Sequence, residues 1–584
     1  MDIFEKSGSK VERFIASAEA APGAIWVSRI TSASELPADV SPRPGAALAN
    51  RLLAVKDNID VAGFATTAAC PTFAYQPVAS ASVVRRLTEA GATVVGKTNL
   101  DQFACGLVGT RSPYGEVPNT FNQDFVSGGS SSGSAAAVSL GLVDIALGTD
   151  TAGSGRIPAA FNNLVGIKPS RGLLSLSGSV AACRHLDCIS IFARTVPEAV
   201  AVLTTAAGYD ATDPFSSARQ LDARFMPERA RIGVPDRSSL EFFGDSLSAK
   251  AFEQSLELVS STGVTYLNID LAPMVEVAHA LYEDAWIAER YNAIAAFFDQ
   301  HQEEMDPVVR TIIGHGKRFS ASNLFSAITA LGHKRQAIHP MWDKIDALLV
   351  PTAPTFPSRQ AVRDEPIERN RELGYYTNFV NLLDLAAIAV PTTFRSDGLP
   401  FGVTLIGPAC SELRLAELAQ RIHAASALPL GASRSAASAP KLTTPFARPV
   451  GSTVKLVAVG AHMSGLPLNS QLQQRGAHKV SDSHTAARYR LYQLANSTPP
   501  KPGLVPATGG GGSSIAVEVW EMPVDAYGSF VAAIPWPLGI GSIEMSDGSM
   551  LQGFVCDGSA VLDARDISEF GGWRAFLAST RAAA

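Results

Sequence analysis

Along the first 430 residues, short continuous apolar runs alternate with longer stretches of helical period. Runs of this length bounded by turn residues predict buried strands. Such runs lie in LLAVKDNIDV, where the strand leaves the core into a polar turn, and in VDIALGTDT, ARIGVPD and IDALLVPTAP. VVRRLTEAGATVVGKTNL predicts a helix, a stop at Gly91 and a short strand. Apolar spacing predicts helices over 245–262 and 275–298. Strand–helix alternation on this scale predicts an α/β domain with a large mixed central sheet flanked by helices. Residues 1–50 mix helical and Pro/Gly-rich pieces, as an N-terminal arm does.

The pattern changes at 431–450, GASRSAASAPKLTTPFARPV, which is small, Pro-containing and weakly periodic and predicts an interdomain linker. The expected division is a first domain over 1–440 and a second over 451–584. Strand-like runs in STVKLVAVGAHMSGLPLN, IAVEVWEM and LQGFVC give the second a smaller α+β character, with Gly509–Ser514 as a mobile loop. No internal repeat is evident.

Composition narrows the function classes. With 584 residues, 46% hydrophobic and 17% charged, the chain fills more than one globular core. A net charge of −6 offers no bulk attraction for nucleic acid or an anionic membrane surface, so a small-molecule substrate is expected. The six cysteines (Cys70, Cys105, Cys183, Cys188, Cys410, Cys556) are scattered, form no metal-type cluster with histidine, and read as reduced thiols. MDIFEKSGSK has no apolar signal core, and no apolar stretch approaches the ~20 residues that span a bilayer. The expected setting is the cytoplasm.

Candidate chemistry concentrates in FVSGGSSSGSAAAVSLGLVDIALGTDTAGSGRIPAAF, from Phe125 to Phe161. A serine hydroxyl needs a base within hydrogen-bond reach and donors for the developing oxyanion. Glycines beside a serine let backbone N–H groups converge without a Cβ in the way. Two such clusters, Gly128–Gly133 and Thr151–Gly155, flank an Ala-rich helical pattern that would pin both to one pair of elements. Either cluster alone also fits a helix cap or a tight turn. Upstream, Lys56 stands at the end of a predicted strand; alone it fits a surface or ion-paired lysine, and with the two clusters it makes a more specific combination.

Together AVKDNI, SGGSSSGSAAAV, ALGTDTAGSGRIPAAFNNLVGIKPSRG, YTNFVNLLDLAAIAVP and GLPFGVTLIGP resemble the amidase signature family over roughly residues 20–430. The resemblance implies a Ser-cisSer-Lys triad with Ser154 as nucleophile, Ser130 as bridging serine behind a cis Gly129–Ser130 bond, and Lys56 as base. It implies an oxyanion hole from the N–H groups of Thr151, Ala152, Gly153 and Ser154, a substrate-binding place for Gly128, and no metal or organic cofactor. A lysine buried among small residues loses proton affinity, which makes the relay chemically sensible. Asp57 and Asp150 are expected to orient backbone and hydroxyls, and Ser131 and Ser132 to cap the following helix.

Two departures, Ala152 and Gly155, make GTDTAGSGRIPA resemble the allophanate hydrolase branch. VAVGAHMSGLPLNSQL and PWPLGIGSIEMSDGSMLQGFVCD resemble that branch's C-terminal domain, of γ-glutamylcyclotransferase-like fold. The implied reaction is hydrolysis of allophanate to ammonia and N-carboxycarbamate, which then loses carbon dioxide. It also implies a homodimer and a biotin-dependent urea carboxylase as a separate functional partner. A carboxylated substrate favours a guanidinium; Tyr291 and Arg310 are the candidates, with a helix-surface ion pair as the other reading of Arg310. His462, with Asn469 and more weakly Glu544, is the candidate for the decarboxylation step; a hydrogen-bonded histidine in a turn is the alternative. Competing readings are the amidase subunit of a tRNA-dependent amidotransferase, a general small-amide amidase, and a non-catalytic scaffold.

Overall fold

A computed structural model describes residues 7–36, 46–222, 224–432, 453–495, 497–507 and 509–582. The chain divides into two compact units, Met1–Asp222 with Glu228–Ala447, and Ala223–Pro227 with Arg448–Ala584. The short 223–227 stretch, which the sequence pattern leaves in the first domain, therefore joins the second unit; Phe225 N–H donates to Gly476 O at 3.2 Å. Most of the expected linker, residues 433–450, lies outside the described residues.

The larger unit is built on eleven strands: β1 (Trp26–Arg29), β2 (Leu52–Lys56), β3 (Thr93–Thr98), β4 (Ile145–Asp150), β5 (Val165–Lys168), β6 (Cys188–Ala193), β7 (Arg231–Pro235), β8 (Thr265–Ile269), β9 (Ala347–Pro351), β10 (Ala386–Phe394) and β11 (Pro400–Gly407). Their spatial order is β1-β3-β2-β4-β6-β5-β10-β11-β9-β7-β8. Pairing is mixed: β2 runs parallel to β3 and β4, while β4–β6 and β10–β11 are antiparallel. Every residue of β2, β4, β6 and β9 is buried, so these central strands are covered on both faces and read as continuous apolar runs rather than alternating ones. The expected large mixed sheet is thus present. The N-terminal arm is more than an arm: its Ser7–Ala20 helix buries Val11, Phe14 and Ala18, and β1 closes one edge of the sheet.

Two local expectations are corrected. The helix predicted over 275–298 is broken into Ala272–Glu283, Ala288–Ala293 and Ala295–His301. Asp284 adopts an extended backbone and its own carboxylate accepts Ala285 N–H at 2.6 Å, a local bond that competes with helix continuation. Ser131 and Ser132 do not cap the Ser132–Ser139 helix. Ser131 instead donates to Thr149 O at 3.2 Å, tying the helix to β4.

The smaller unit carries a five-stranded sheet in the order His478–His484, Ala516–Pro523, Thr453–Ala458, Met550–Cys556, Leu538–Glu544, beside a three-stranded sheet. Its core gathers Trp520, Met522, Phe530 and Trp573.

The Ser131–β4 contact gives a prediction. A Cβ at Gly148 would lie 2.6 Å from Ser131 Oγ and 2.7 Å from the Phe192 ring. Gly148→Ala is expected to destabilise the larger unit by about 1–3 kcal/mol through overpacking. The check is a lower denaturant midpoint at unchanged slope.

Candidate active site

The parallel register of β2 on β4, Val55 opposite Leu147, carries Lys56 to the end of β4. There its buried amine donates to Ser130 Oγ at 2.7 Å and to Thr149 Oγ1 at 2.8 Å. Burial lowers the Lys56 pKa to about 7, against the pull of Asp101, Asp187 and Asp150 and with the help of the Arg290 charge. Ser130 follows a cis Gly129–Ser130 bond. Asp101 frames this turn: its carboxylate accepts the N–H groups of Val108 at 3.2 Å, Gly109 at 3.0 Å and Arg111 at 3.0 Å, and its own N–H donates to Ser130 O at 3.1 Å. Gly129 must be glycine here, because a Cβ would lie 2.0 Å from Asp101 Oδ2.

Ser154 is buried in the loop between β4 and the Ile157–Phe161 helix, and the Ser132–Ser139 helix packs on both elements. Asp150 organises this loop. It accepts Gly153 N–H and Gly155 N–H, each at 2.9 Å, and a two-pronged bond from Arg156 at 2.9 Å on each arm. Burial alone would raise the Asp150 carboxyl, but the Arg156 guanidinium holds it below the usual range. Arg156 continues to Thr377 O and Asn381 Oδ1, both at 3.1 Å, while Asn381 returns a bond to Asp150 O at 2.8 Å. Thr377 donates to Ala152 O at 2.6 Å. Gly153 has φ +136 and its N–H is engaged by Asp150, so this member of the expected oxyanion donors already has a partner. Asp57 orients its surroundings from behind, accepting Thr67 N–H at 3.1 Å and facing Lys97 at 3.1 Å. Gly128, with φ +75, lies against Pro158 at the start of the adjoining helix.

The charge that acts on Lys56 from the helical side is Arg290, not Arg310. Arg290 is 3% exposed, donates to Tyr282 Oη at 3.3 Å, and has no hydrogen-bond partner for Nη1 among the described residues. Arg310 forms an exposed pair with Glu303. Tyr291 donates to Asp299 at 2.8 Å beneath Lys317. Tyr291, on the Ala288–Ala293 helix, and Arg310, on the Pro307–Gly314 helix, each turn to a solvent-side carboxylate rather than to Lys56.

In the smaller unit, His462 lines a cavity of about 240 Å³ with Gln471, Pro499, Lys501, Leu538 and Phe554. Its Nε2 pairs with Gln471 Oε1 at 3.0 Å, its ring stacks on Phe554 at 4.6 Å, and burial lowers its pKa. Asn469 supports it by donating to His462 O at 2.9 Å. Glu544 pairs with Arg488 at 2.7 Å and does not line the cavity. Among the described residues no cluster of His, Cys, Asp and Glu is arranged to hold a metal, and no helix is long and apolar enough to cross a membrane.

Residues 2–416 match the Amidase family model, and residues 454–578 match the model of the allophanate hydrolase C-terminal domain. The chain belongs to the amidase family. It is similar to urea amidolyase of Saccharomyces cerevisiae, 43% identical over 541 residues that make up 90% of this chain but 29% of the relative. It is also similar to the structure of Kluyveromyces lactis allophanate hydrolase, at 38% identity and TM-score 0.86, covering 99% of this chain and 97% of that one. A subunit of the glutamyl-tRNA(Gln) amidotransferase of Natronomonas pharaonis is 34% identical over 432 residues, 68% of this chain and 98% of that relative.

As a member of this family, the protein carries features that motif reading passes over. Arg290 was findable: Ile287 and Ile294, three before and four after it, are both buried and mark the inward face of that stretch. Thr149, Thr377 and Asn381 lie within the quoted motifs but no role was read from them, and Asp101 and Asp187 carry no comparable signal, because they meet the site only through the fold. The amidase loop should depend on its buried pair. Asp150→Ala strands the Arg156 charge and is expected to cost about 3–5 kcal/mol of stability, read by chemical denaturation.

Proposed function

We propose that this protein hydrolyses allophanate by way of Lys56, Ser130 and Ser154. The observation that carries the reading is the 2.7 Å Lys56–Ser130 hydrogen bond at a buried amine of pKa about 7. Above that pH the amine is neutral and accepts the Ser130 proton, while Ser130 takes the proton of Ser154 as its Oγ attacks the terminal amide carbonyl. The N–H groups of Thr151, Ala152 and Ser154 receive the oxyanion. The proton returns through the relay to the leaving nitrogen, ammonia departs, and water attacks the acyl-Ser154 ester to release N-carboxycarbamate. The unpartnered Nη1 of Arg290, beside Tyr282, supports the reading that this guanidinium pairs with the substrate carboxylate, the task the sequence assigned to Arg310 and Tyr291. The likeness to an allophanate hydrolase over nearly the full chain supports this substrate.

In the second unit, the cavity with His462 and Lys501 suits the dicarboxylated product: the ammonium attracts it, and the imidazole supplies a proton to nitrogen as carbon dioxide leaves. The chain spans 29% of the urea amidolyases it resembles, and a biotin-dependent, ATP-consuming urea carboxylase acting as a separate protein is the proposed source of allophanate. A cytoplasmic homodimer is the proposed working form.

Ser154→Ala, Ser130→Ala and Lys56→Ala are each expected to lower ammonia release from allophanate by roughly 10³-fold or more; near-normal release from a folded Ser154→Ala chain would refute the assignment. Wild-type kcat/KM should rise with pH through about 7, because deprotonation of Lys56 creates the base.

Arg290→Ala is expected to lower kcat/KM for allophanate roughly tenfold or more beyond its effect on an uncharged amide. Arg310→Ala should leave both substrates near wild type. Equal losses on the two substrates for Arg290→Ala would remove it from carboxylate recognition. His462→Ala should leave the first ammonia unchanged and slow carbon dioxide release, read by following the two products separately.

A further inference from the structure

Asp187 takes no part in the relay, yet its carboxylate holds the hydroxyl of Thr151, the first residue after β4. It immediately precedes β6, whose antiparallel register sets Asp150 opposite Cys188, so Asp187 falls beside the first residue of the Ser154 loop. The residue is 5% exposed. Its Oδ2 accepts Ala182 N–H at 2.8 Å, and both carboxylate oxygens face Cys183 N–H at 3.2 Å. With its own loop fixing it from behind, Oδ1 accepts the Thr151 hydroxyl at 2.5 Å.

The charged surroundings come from several elements. Arg290 faces Asp187 from the Ala288–Ala293 helix, and Tyr282, Cys105 and Cys183 face Arg290 in turn. The Cys183 thiol donates to Glu289 at 2.8 Å, and His185 shares that carboxylate at 2.6 Å. Across the site, Asp187 acts on Lys56 together with Asp101 and Asp150. Burial raises the Asp187 carboxyl to about 6, with the Thr151 hydroxyl, the Ala182 N–H, Arg290 and the Cys183 N–H drawing it back.

We propose that Asp187 is a positioning residue for amide hydrolysis, holding Thr151 by its hydroxyl so that the loop's first N–H donor keeps its direction, and keeping a carboxylate on the β4 side of the relay. The inference rests on the relay proposed above. Its two parts separate chemically. Thr151→Val removes the hydroxyl that Asp187 holds and keeps the backbone donor; Asp187→Asn keeps the shape and removes the charge.

The test is the pH dependence of kcat/KM for ammonia release from allophanate by the full chain. Asp187→Asn is expected to move the acid limb to lower pH by about half a unit or more, because without the nearby anion the Lys56 amine stays neutral further into acid. A role in folding alone would lower activity without moving that limb. Thr151→Val is expected to lower kcat roughly ten- to hundredfold, with Thr151→Ser restoring most of it. An unmoved limb in Asp187→Asn, or wild-type kcat in Thr151→Val, would overturn the proposal. Where Asp187→Asn fails to fold, the Thr151 pair decides. Lys56→Met and Ser154→Ala are run alongside: activity in either means the relay itself is wrong, whereas two inactive controls with an unmoved limb remove Asp187 alone.

Discussion

The site depends on keeping one lysine amine out of water. A buried ammonium is unfavourable, and proteins commonly offset it with a carboxylate partner. Here two buried lysines, the last residue of β2 and the penultimate residue of β3, lie on neighbouring strands and are treated differently. Lys97, on β3, faces the Asp57 carboxylate at 3.1 Å. Lys56, on β2, is given hydroxyls, those of Ser130 and Thr149. Its three carboxylate influences, Asp101, Asp187 and Asp150, act from further off and do not undo the effect of burial. The result is an amine whose two protonation states are close in free energy near neutral pH, which is what a general base requires.

Close packing makes that burial possible. The Ser132–Ser139 helix is small on every face: SGSAAAVS is wholly buried, and a Cβ on its Gly133 would lie 2.3 Å from Ile25 O. Larger side chains would lift the helix, and Ser130 with it, away from Lys56. The carboxylates nearby are committed elsewhere. Asp101 is spent on three backbone N–H groups, and Asp150 on two N–H groups and a guanidinium. Committed in this way they shape the turns around Ser130 and Ser154 without approaching the amine.

The sequence conveyed the strands that frame the site, because central strands buried on both faces are written as continuous apolar runs. Motif order also paired Lys56 with Ser130, whose side chains meet at 2.7 Å, and the register of β2 on β4 shows how a strand-end lysine reaches Thr149, 93 residues further on; the place of Ser154 in that set is part of the proposal. Arg310 illustrates what was not legible. An arginine near an aromatic residue in a polar helical stretch satisfies a composition argument, but composition does not show that Arg310 turns to Glu303 on the Pro307–Gly314 helix; the apolar spacing around Arg290 was the better guide. Gly153 shows a second limit. The motif offers its N–H as an oxyanion donor, and only the φ of +136 shows that N–H turned onto Asp150. Ser131 shows a third: a serine before a helix reads as a cap, and here tertiary contact with β4 takes its hydroxyl instead.

The central claim is that Lys56 exchanges its proton near neutrality in the folded protein. Nuclear magnetic resonance of lysine side-chain nitrogens over a pH series measures this directly, with Lys56→Met identifying the signal. The account predicts one lysine resonance titrating at about 7 and missing from Lys56→Met. A Lys56 signal that titrates near the ordinary lysine value, about 10.4, would contradict it.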